Sequence, residues 1–480
     1  MRGLIYFLVT AISTVTYSQS QQFNRVYDFN GTFEQNANIT TVNSGYIVNG
    51  ISATNSKFSG LLVHLATNGD TINSKIYNIF GLSTVGGYFE NTIVLQDRIT
   101  VASWLYDSTN IAHAYVAQFS ISGEMLWVDS LGGSANFTSL VKIDDGYLIG
   151  GIQRTIESQE QFLACKYSNT GELLWKKHYG QFDKNENCYT ISQCADGGFV
   201  LGGNRYMGTS SNPYILKIDS QGNELWEKEF QLSDYDDYPI RVFIEKSGDI
   251  YLAAGAVEAK LSNQFSLRRA WFCKLDAFGN QIWEKKLGLS SISNGPCSIL
   301  SRRNGNILYL FSSQFSGDSL GARIARIYEL DKAGNEIKNI IATYDSNNKN
   351  LESIPLSIDT TLDNGFIIGG HVTDLSQDLW VVKFDSHGCY DSTYNCVVGI
   401  QDPRQQLQTL KIFPNPAQAQ ISVLGHGNFI VFNSLGQQIP VPSHVSENTT
   451  TFNIQHLPKG IYFIRSEGED EVYIGKFVKE

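Results

Sequence analysis

Apolar and polar residues alternate with a period of two along most of this chain. In "YILKID" (214–219), Tyr214, Leu216 and Ile218 fall on one face and Ile215 and Lys217 on the other, as a β-strand requires. The run ends in "SQGN" and restarts as "ELWEKEF". The same frame recurs at "LATNGDTIN" (65–73), "FSISGEMLW" (119–127), "YSNTGELLW" (167–175), "IDSQGNELW" (218–226), "LDAFGNQIW" (275–283), "LDKAGNEIK" (330–338) and "FDSHGCYDS" (384–392). Its glycines stand at 69, 123, 171, 222, 279, 334 and 388, at intervals of 48 to 57 residues. Each copy is preceded by a β-rich partner such as "GYLIGG" (146–151), "GFVLGG" (198–203) or "GFIIGG" (365–370).

Each unit predicts four short strands. In the fourth, "CYTISQCA" leads through "DGG" into "FVLGG", then "YILKID", then "ELWEKEF". Asp219 is expected to accept backbone hydrogen bonds from the turn, Gly222 to adopt a left-handed conformation, and Trp226 with Trp127, Trp175 and Trp283 to pack between units. Four strands repeated about every 50 residues are the period of a β-propeller. The seventh unit has "CYDSTYNC" where a last strand is due, and "FNRVYDF" (23–29) supplies a strand of the missing type. The expectation is an all-β, seven-bladed propeller over residues 22–397, with the N-terminal strand completing the last blade and removing an open edge. Units of the form "DGGFVLGG … YILKIDSQGNELWEKEF" resemble propeller repeats of secreted bacterial and archaeal surface proteins, a resemblance that implies no particular ligand.

Composition agrees: 43 Gly, 10 Pro, 24 Tyr and 27 Phe suit strands and tight turns. A net charge of −11 without a basic patch argues against nucleic acid. "MRGLIYFLVTAISTVTYSQS" has the layout of a secretory signal over 1–18, and no later segment is long and apolar enough to span a membrane as a helix. Of seven cysteines, Cys389 and Cys396 bracket a short loop and Cys188 and Cys194 form another local pair. Cys165 and Cys273 hold the same place in two units, which points to buried apolar side chains.

Residues 398–408 read as a linker, and 409–480 as a small antiparallel β-sandwich with turns at Pro414–Pro416, Ser434–Gly436 and Pro458–Gly460. The "PNP" at Pro414, Asn415 and Pro416, "NSLGQ" with Gly436, "LPKGIYFIR" with Gly460 and "KFVKE" with Lys476 closely resemble the type A C-terminal sorting domain of the Bacteroidetes type IX secretion system. That resemblance implies export across the outer membrane, handling by the secretion machinery, and release or surface attachment.

No catalytic motif stands in a productive context. "GDSLG" (Gly317–Gly321) matches G-x-S-x-G but falls in a loop between expected strands rather than at a strand-to-helix elbow. The D-x-x-G-x-x-x-W frame resembles quinoprotein repeats only in its packing motif. His64, His113, His178, His371 and His387 lack metal-type spacing. Acidic connections join units: "DKNEN" (Asp183–Asn187) and "SDYDDY" (Ser233–Tyr238). The first imitates a calcium loop, but Cys188 replaces the needed Gly and no closing Glu follows. Asp183, Asn185, Glu186, Asp234, Asp236, Asp237 and Tyr238, with Tyr189 and Tyr235, are the candidate ligand-binding residues. The expected function is a secreted or surface-attached binding or adhesion module for a glycan or protein, with no cofactor required and calcium a candidate. The alternatives are a polysaccharide lyase or hydrolase, a quinone-dependent oxidoreductase, or a structural surface protein.

Overall fold

A computed structural model describes residues 22–29, 33–54, 57–87, 90–154, 159–181, 183–208, 210–261, 266–288, 292–315, 322–345, 348, 351–373, 376–390, 408–424, 428–433, 438–446, 449–467 and 472–480. The expected signal at 1–18, Cys396, the "GDSLG" match, Gly436 and nearly all of the expected linker lie outside these residues. The chain forms two compact bodies, Met1–Val398 and Gly399–Glu480. All elements among the described residues are strands.

The first body is a series of antiparallel ladders that follow the repeat. The fourth unit runs Glu186–Gln193, Phe199–Tyr206, Ser211–Ile218 and Glu224–Glu229, hydrogen-bonded in that order. First strands of the seven units are Phe33–Val42, Thr92–Leu95, Ala135–Ile143, Glu186–Gln193, Arg241–Ile244, Ile292–Ser301 and Glu352–Thr360. Unit 2 adds a short Ser83–Thr84 strand on Arg98–Tyr106, and one parallel bridge, Arg268 to Ser293, joins units 5 and 6. The fourth strand of unit 7 comes from the other end of the chain: Phe23–Tyr27 pairs antiparallel with Gln377–Phe384, Phe23 opposite Lys383 and Tyr27 opposite Leu379.

The turn residues act as their chemistry dictates. Asp219 Oδ1 accepts from the backbone N–H of Gln221 (2.9 Å) and Asn223 (2.8 Å), and Asn223 Nδ2 donates to Asp219 Oδ2 (2.9 Å). Asp276 and Asp331 repeat this arrangement. Gly222 sits at φ +77°, a conformation that side chains disfavour.

The same glycine is also a seat for the preceding unit. A Cβ on Gly171 would lie 2.5 Å from the Trp127 ring, and one on Gly222 would lie 2.9 Å from Trp175. Trp226 and Trp283 meet Gly279 and Gly334 in the same way. Where the sequence lacks the tryptophan, another residue of the fourth strand takes over: Lys75 against Gly123, Ile340 against Gly388, and Phe23 against Gly69. Carbonyls of these turns accept from the neighbouring unit too, from Lys228 Nζ to Gly279 O (3.1 Å) and Tyr27 Oη to Gly69 O (2.7 Å).

Between successive sheets lie apolar layers. One contains Phe23, Ile39, Val48, Val63, Ile367 and Val381, so unit 7 packs on unit 1. Cys165 and Cys273 are free, fully buried and part of such layers, as expected from their repeat position. Cys188 and Cys194 are free thiols rather than a pair, Cys188 being buried beside Gly150. Cys389 is disulfide-bonded.

The second body is a sandwich of a five-stranded and a four-stranded sheet around Ile421, Val423, Phe452, Ile464 and Phe477. One pairing is parallel, Gln408–Thr409 on Val472–Lys479, so the first sheet is mixed rather than purely antiparallel. Asn415 clasps the last strand: its Nδ2 donates to Lys476 O (2.8 Å) and its Oδ1 accepts from Val478 N (2.9 Å). Ala417 N to Val478 O (2.9 Å) and Glu480 N to Ala417 O (3.0 Å) extend the contact.

Replacing Gly171 by Ala introduces both a clash with Trp127 and a strained φ of +86°. It should lower unfolding stability in urea by about 1–3 kcal/mol. Gly132→Ala, where nothing lies within 4 Å, should change stability by less than about 0.5 kcal/mol.

Candidate functional site

Sequential antiparallel strands place the connections between units and the second-to-third strand turns at one end of each ladder. The two acidic connections flank unit 4 at that end, and the structure divides their residues into two groups. Asp183, Asp234, Asp236 and Tyr238 are exposed. Asn185, Glu186 and Asp237 are spent internally. Asn185 Oδ1 accepts from Glu160 N (3.0 Å) and its carbonyl from Tyr206 N (2.9 Å). Glu186 is fully buried against Arg205, Nε to Oε1 at 2.5 Å, and Oε2 accepts from Gln181 N (3.0 Å). Arg205 is further held by Glu227 (3.0 Å) and Glu229 (3.4 Å) and lies over Tyr214. This is a structural network, because Glu186 is fully buried and both its carboxylate oxygens already accept hydrogen bonds within the fold.

Asp237 builds the next connection. Its carboxylate accepts from Ser233 N (3.1 Å), Ser233 Oγ (2.8 Å) and Val257 N (2.9 Å), and burial raises its pKa. The clamp fixes Ser233–Tyr238 so that Tyr235 and Tyr238 stay 40% and 42% exposed. Lys260 lies 5.2 Å from the Tyr235 ring centroid and Arg268 4.3 Å from that of Tyr238. Arg241 lies 5.8 Å from the Tyr189 ring and donates to Tyr189 O (3.3 Å). Tyrosine and cation thus alternate around units 4 and 5, and the cations were not among the expected site residues.

A second feature escaped the sequence altogether. One cavity of about 340 Å³ is lined by the first strands of all seven units, with Asn38, Thr92, Leu140, Ser192, Val242, Ser298 and Asp359 among its walls. Glu90, from the connection between units 1 and 2, reaches into it. Ser298 Oγ donates to Glu90 Oε1 (2.8 Å) and Thr190 Oγ1 approaches Oε2 (3.4 Å), while Glu90 O accepts from Leu140 N (3.2 Å). Burial raises the carboxyl pKa, and those hydroxyls and the charge of Arg241 partly offset this. The repeat itself marks Arg241 as unusual, because its register position holds Asn38, Ser139, Thr190, Ser298 and Ser357 in other units. A buried charge where the other units hold uncharged polar side chains needs a partner, and aligning the units is enough to reveal that need.

The histidines do not converge. His64 contacts Ser44, His113 contacts Asp107 and His178 contacts Gln153, each in a different unit. His371 is buried and held neutral, its pKa lowered to about 4 by desolvation. Among the described residues, the group able to hold a metal is Asp28, Glu34 and Asp378, with oxygens within 4.8 Å of one another. It lies where unit 7 meets unit 1, not on the "DKNEN" connection.

With this geometry in hand, comparison with known proteins bears first on the tail. Residues 411–480 match the family described as the secretion system C-terminal sorting domain. The tail is a type IX sorting domain. It marks the protein as secreted or attached to the cell surface. The Asn415 clasp gives the domain's two end motifs, "PNP" and "KFVKE", one physical role, since each supplies half of the contact. No curated protein matches the chain. Among solved structures, a protein of unknown function from Dyadobacter fermentans is 12% identical over 76% of this chain and 97% of its own, with a TM-score of 0.44. Polysaccharide lyase Uly1 is 9% identical over 77% and 94%, TM-score 0.46. The β-propeller domain of the Trilobed protease from Pyrococcus furiosus is 12% identical over 72% and 97%, TM-score 0.37. These are likenesses to propeller-like folds.

The raised Glu90 pKa means that folding favours its protonated form. That stability is fully present below the ordinary value of 4.5 and is lost as pH rises through the folded value. Asp237 and Asp359 shift the same way, so the diagnostic quantity is a difference between variants. Glu90→Gln should melt close to wild type at about pH 4 and above it at about pH 8. A constant difference across that range would contradict the placement of Glu90.

Proposed function

We propose that residues 22–397 form a closed seven-bladed β-propeller that works outside the cell, or on its surface, as a glycan-binding module. In this reading residues 1–18 are a cleaved signal, 398–408 a linker, and 409–480 the address read by the type IX machinery. Closure is supported by the Phe23–Tyr27 strand in unit 7, by Phe23 on Gly69, and by a cavity walled by all seven first strands. The binding end is the one that carries the connections between units. The observation that carries this choice is the Ser233–Tyr238 connection, which presents two tyrosines on a backbone locked by Asp237. Rigid, partly exposed tyrosines give contact area at low entropic cost, and Tyr235 has an apolar face for a sugar ring. A protein ligand is the alternative occupant of the same surface.

The test is a melting screen of the full mature chain against bacterial, algal and host polysaccharides. A ligand present at about 100 times its Kd adds about 2.7 kcal/mol, a visible shift. Tyr235→Ala with Tyr238→Ala should remove the shift while leaving the melting point of the free protein within a few degrees. Silence across the panel would overturn the glycan reading in favour of a protein ligand. For the tail, Asn415→Ala removes two hydrogen bonds to the last strand and should cost about 1–3 kcal/mol in the sorting domain. It should reduce the amount of protein outside the cell, whereas unimpaired export would show that the clasp is dispensable.

A further inference from the structure

Next to Tyr238 lies a cation that has no counter-ion within ion-pair distance among the described residues. Arg268 lies near the start of the third strand of unit 5, Ser266–Leu275, and is half-buried, its guanidinium stacked on Tyr238 at 4.3 Å. That ring is backed by bare backbone, since a Cβ on Gly255 or Gly295 would come within 3.2 Å or 3.6 Å of Tyr238. The nearest carboxylates are already engaged. Asp237 is clamped by Ser233 and Val257, and Asp236 lies 3.4 Å from Lys260. Among the described residues, no carboxylate lies within ion-pair distance of Arg268. Its Nη1 makes one long bond to Ser266 O (3.4 Å), and its Nε makes none. Arg205, one unit earlier, shows what this chain does with a structural arginine: three carboxylates surround it.

A guanidinium drawn partly out of water without a partner is held at a cost, and its planar fork fits a carboxylate or sulfate. We propose that Arg268, propped on Tyr238, binds the acidic group of a polysaccharide, so that the ligand of this end of the molecule is an anionic glycan. This inference rests on the glycan-binding reading above and names its substrate class. Tyr235 offers the adjoining sugar a flat apolar face, and Lys260 adds a weaker, exposed charge. The net charge of −11 discourages indiscriminate polyanion binding, which leaves recognition to this local geometry.

The experiment measures Kd of the full mature chain for polygalacturonate and its carboxyl-reduced form, and for a sulfated galactan and its desulfated form. At least one acidic polymer should bind about tenfold or more tightly than its neutralised counterpart. Which pair shows the gap identifies carboxylate or sulfate as the source. Arg268→Gln should erase the gap, and Arg268→Lys should retain part of it, with melting points near wild type confirming the fold. Equal binding of acidic and neutral forms, or an intact gap in Arg268→Gln, overturns the anionic assignment and leaves glycan binding standing. Absence of binding to all four polymers overturns both.

Discussion

One contact organises the larger body: a side chain from the fourth strand of each unit seated on a glycine in the turn of the next. The contact needs a residue without a Cβ, because a Trp ring approaches Gly171 to within 2.5 Å of where that atom would be. It also needs a turn held open to receive the ring. The residue that begins the turn does this by accepting two backbone N–H groups, Ser168 at Gly171 and Asp219, Asp276, Asp331 and Asp385 in units 4 to 7. Asp, Gly and Trp are therefore three parts of one joint, and their spacing follows from the length of the turn. The joint recurs through every unit, with Lys75, Ile340 and Phe23 replacing tryptophan. What is selected is contact with the glycine, and an aromatic ring is one way to achieve it.

Stacking the units in this way forces their first strands together. Those strands carry polar side chains whose groups must find partners where water is scarce. Glu90 answers part of that demand by taking hydroxyls from units 4 and 6 while its backbone bonds to unit 3. Its position ties together units far apart in sequence. At the end where units connect, packing imposes less, and the chain there holds tyrosines, cations and acids in fixed but open positions. The contrast between Arg205 and Arg268 separates the two regimes: three carboxylates surround the first, and among the described residues none lies within ion-pair distance of the second.

The sorting domain is built on a different constraint. Its two terminal motifs are some 60 residues apart, yet Asn415 and Ala417 bond directly to the last strand, Val472–Lys479, and to Glu480 beyond it. Losing either end exposes the unpaired edge of the other. That shared edge is the physical reason for both motifs to occur together in one domain.

Strand order within each unit, the turn chemistry, the supply of a last strand by Phe23–Tyr27 and the nature of the tail were all legible in the sequence. Each depends on period-two alternation, on glycine and aspartate at fixed offsets, or on a motif, and such signals are local. The same reading assigned Glu186 and Asp237 to a ligand, paired Cys188 with Cys194, and passed over Glu90, Arg241 and Arg268. Acidic residues in a connection look alike until their neighbours are known. Asp237 turned out to be closed by Ser233 and Val257, Glu186 by Arg205, and Asp236 to face Lys260. Arg241 could have been flagged by aligning the units, but its proximity to Glu90, from three units away, could not. Local periodicity determined the strands and turns. The pairing of charges was decided by tertiary structure alone, because a charge's partner is set by which strands become neighbours in space.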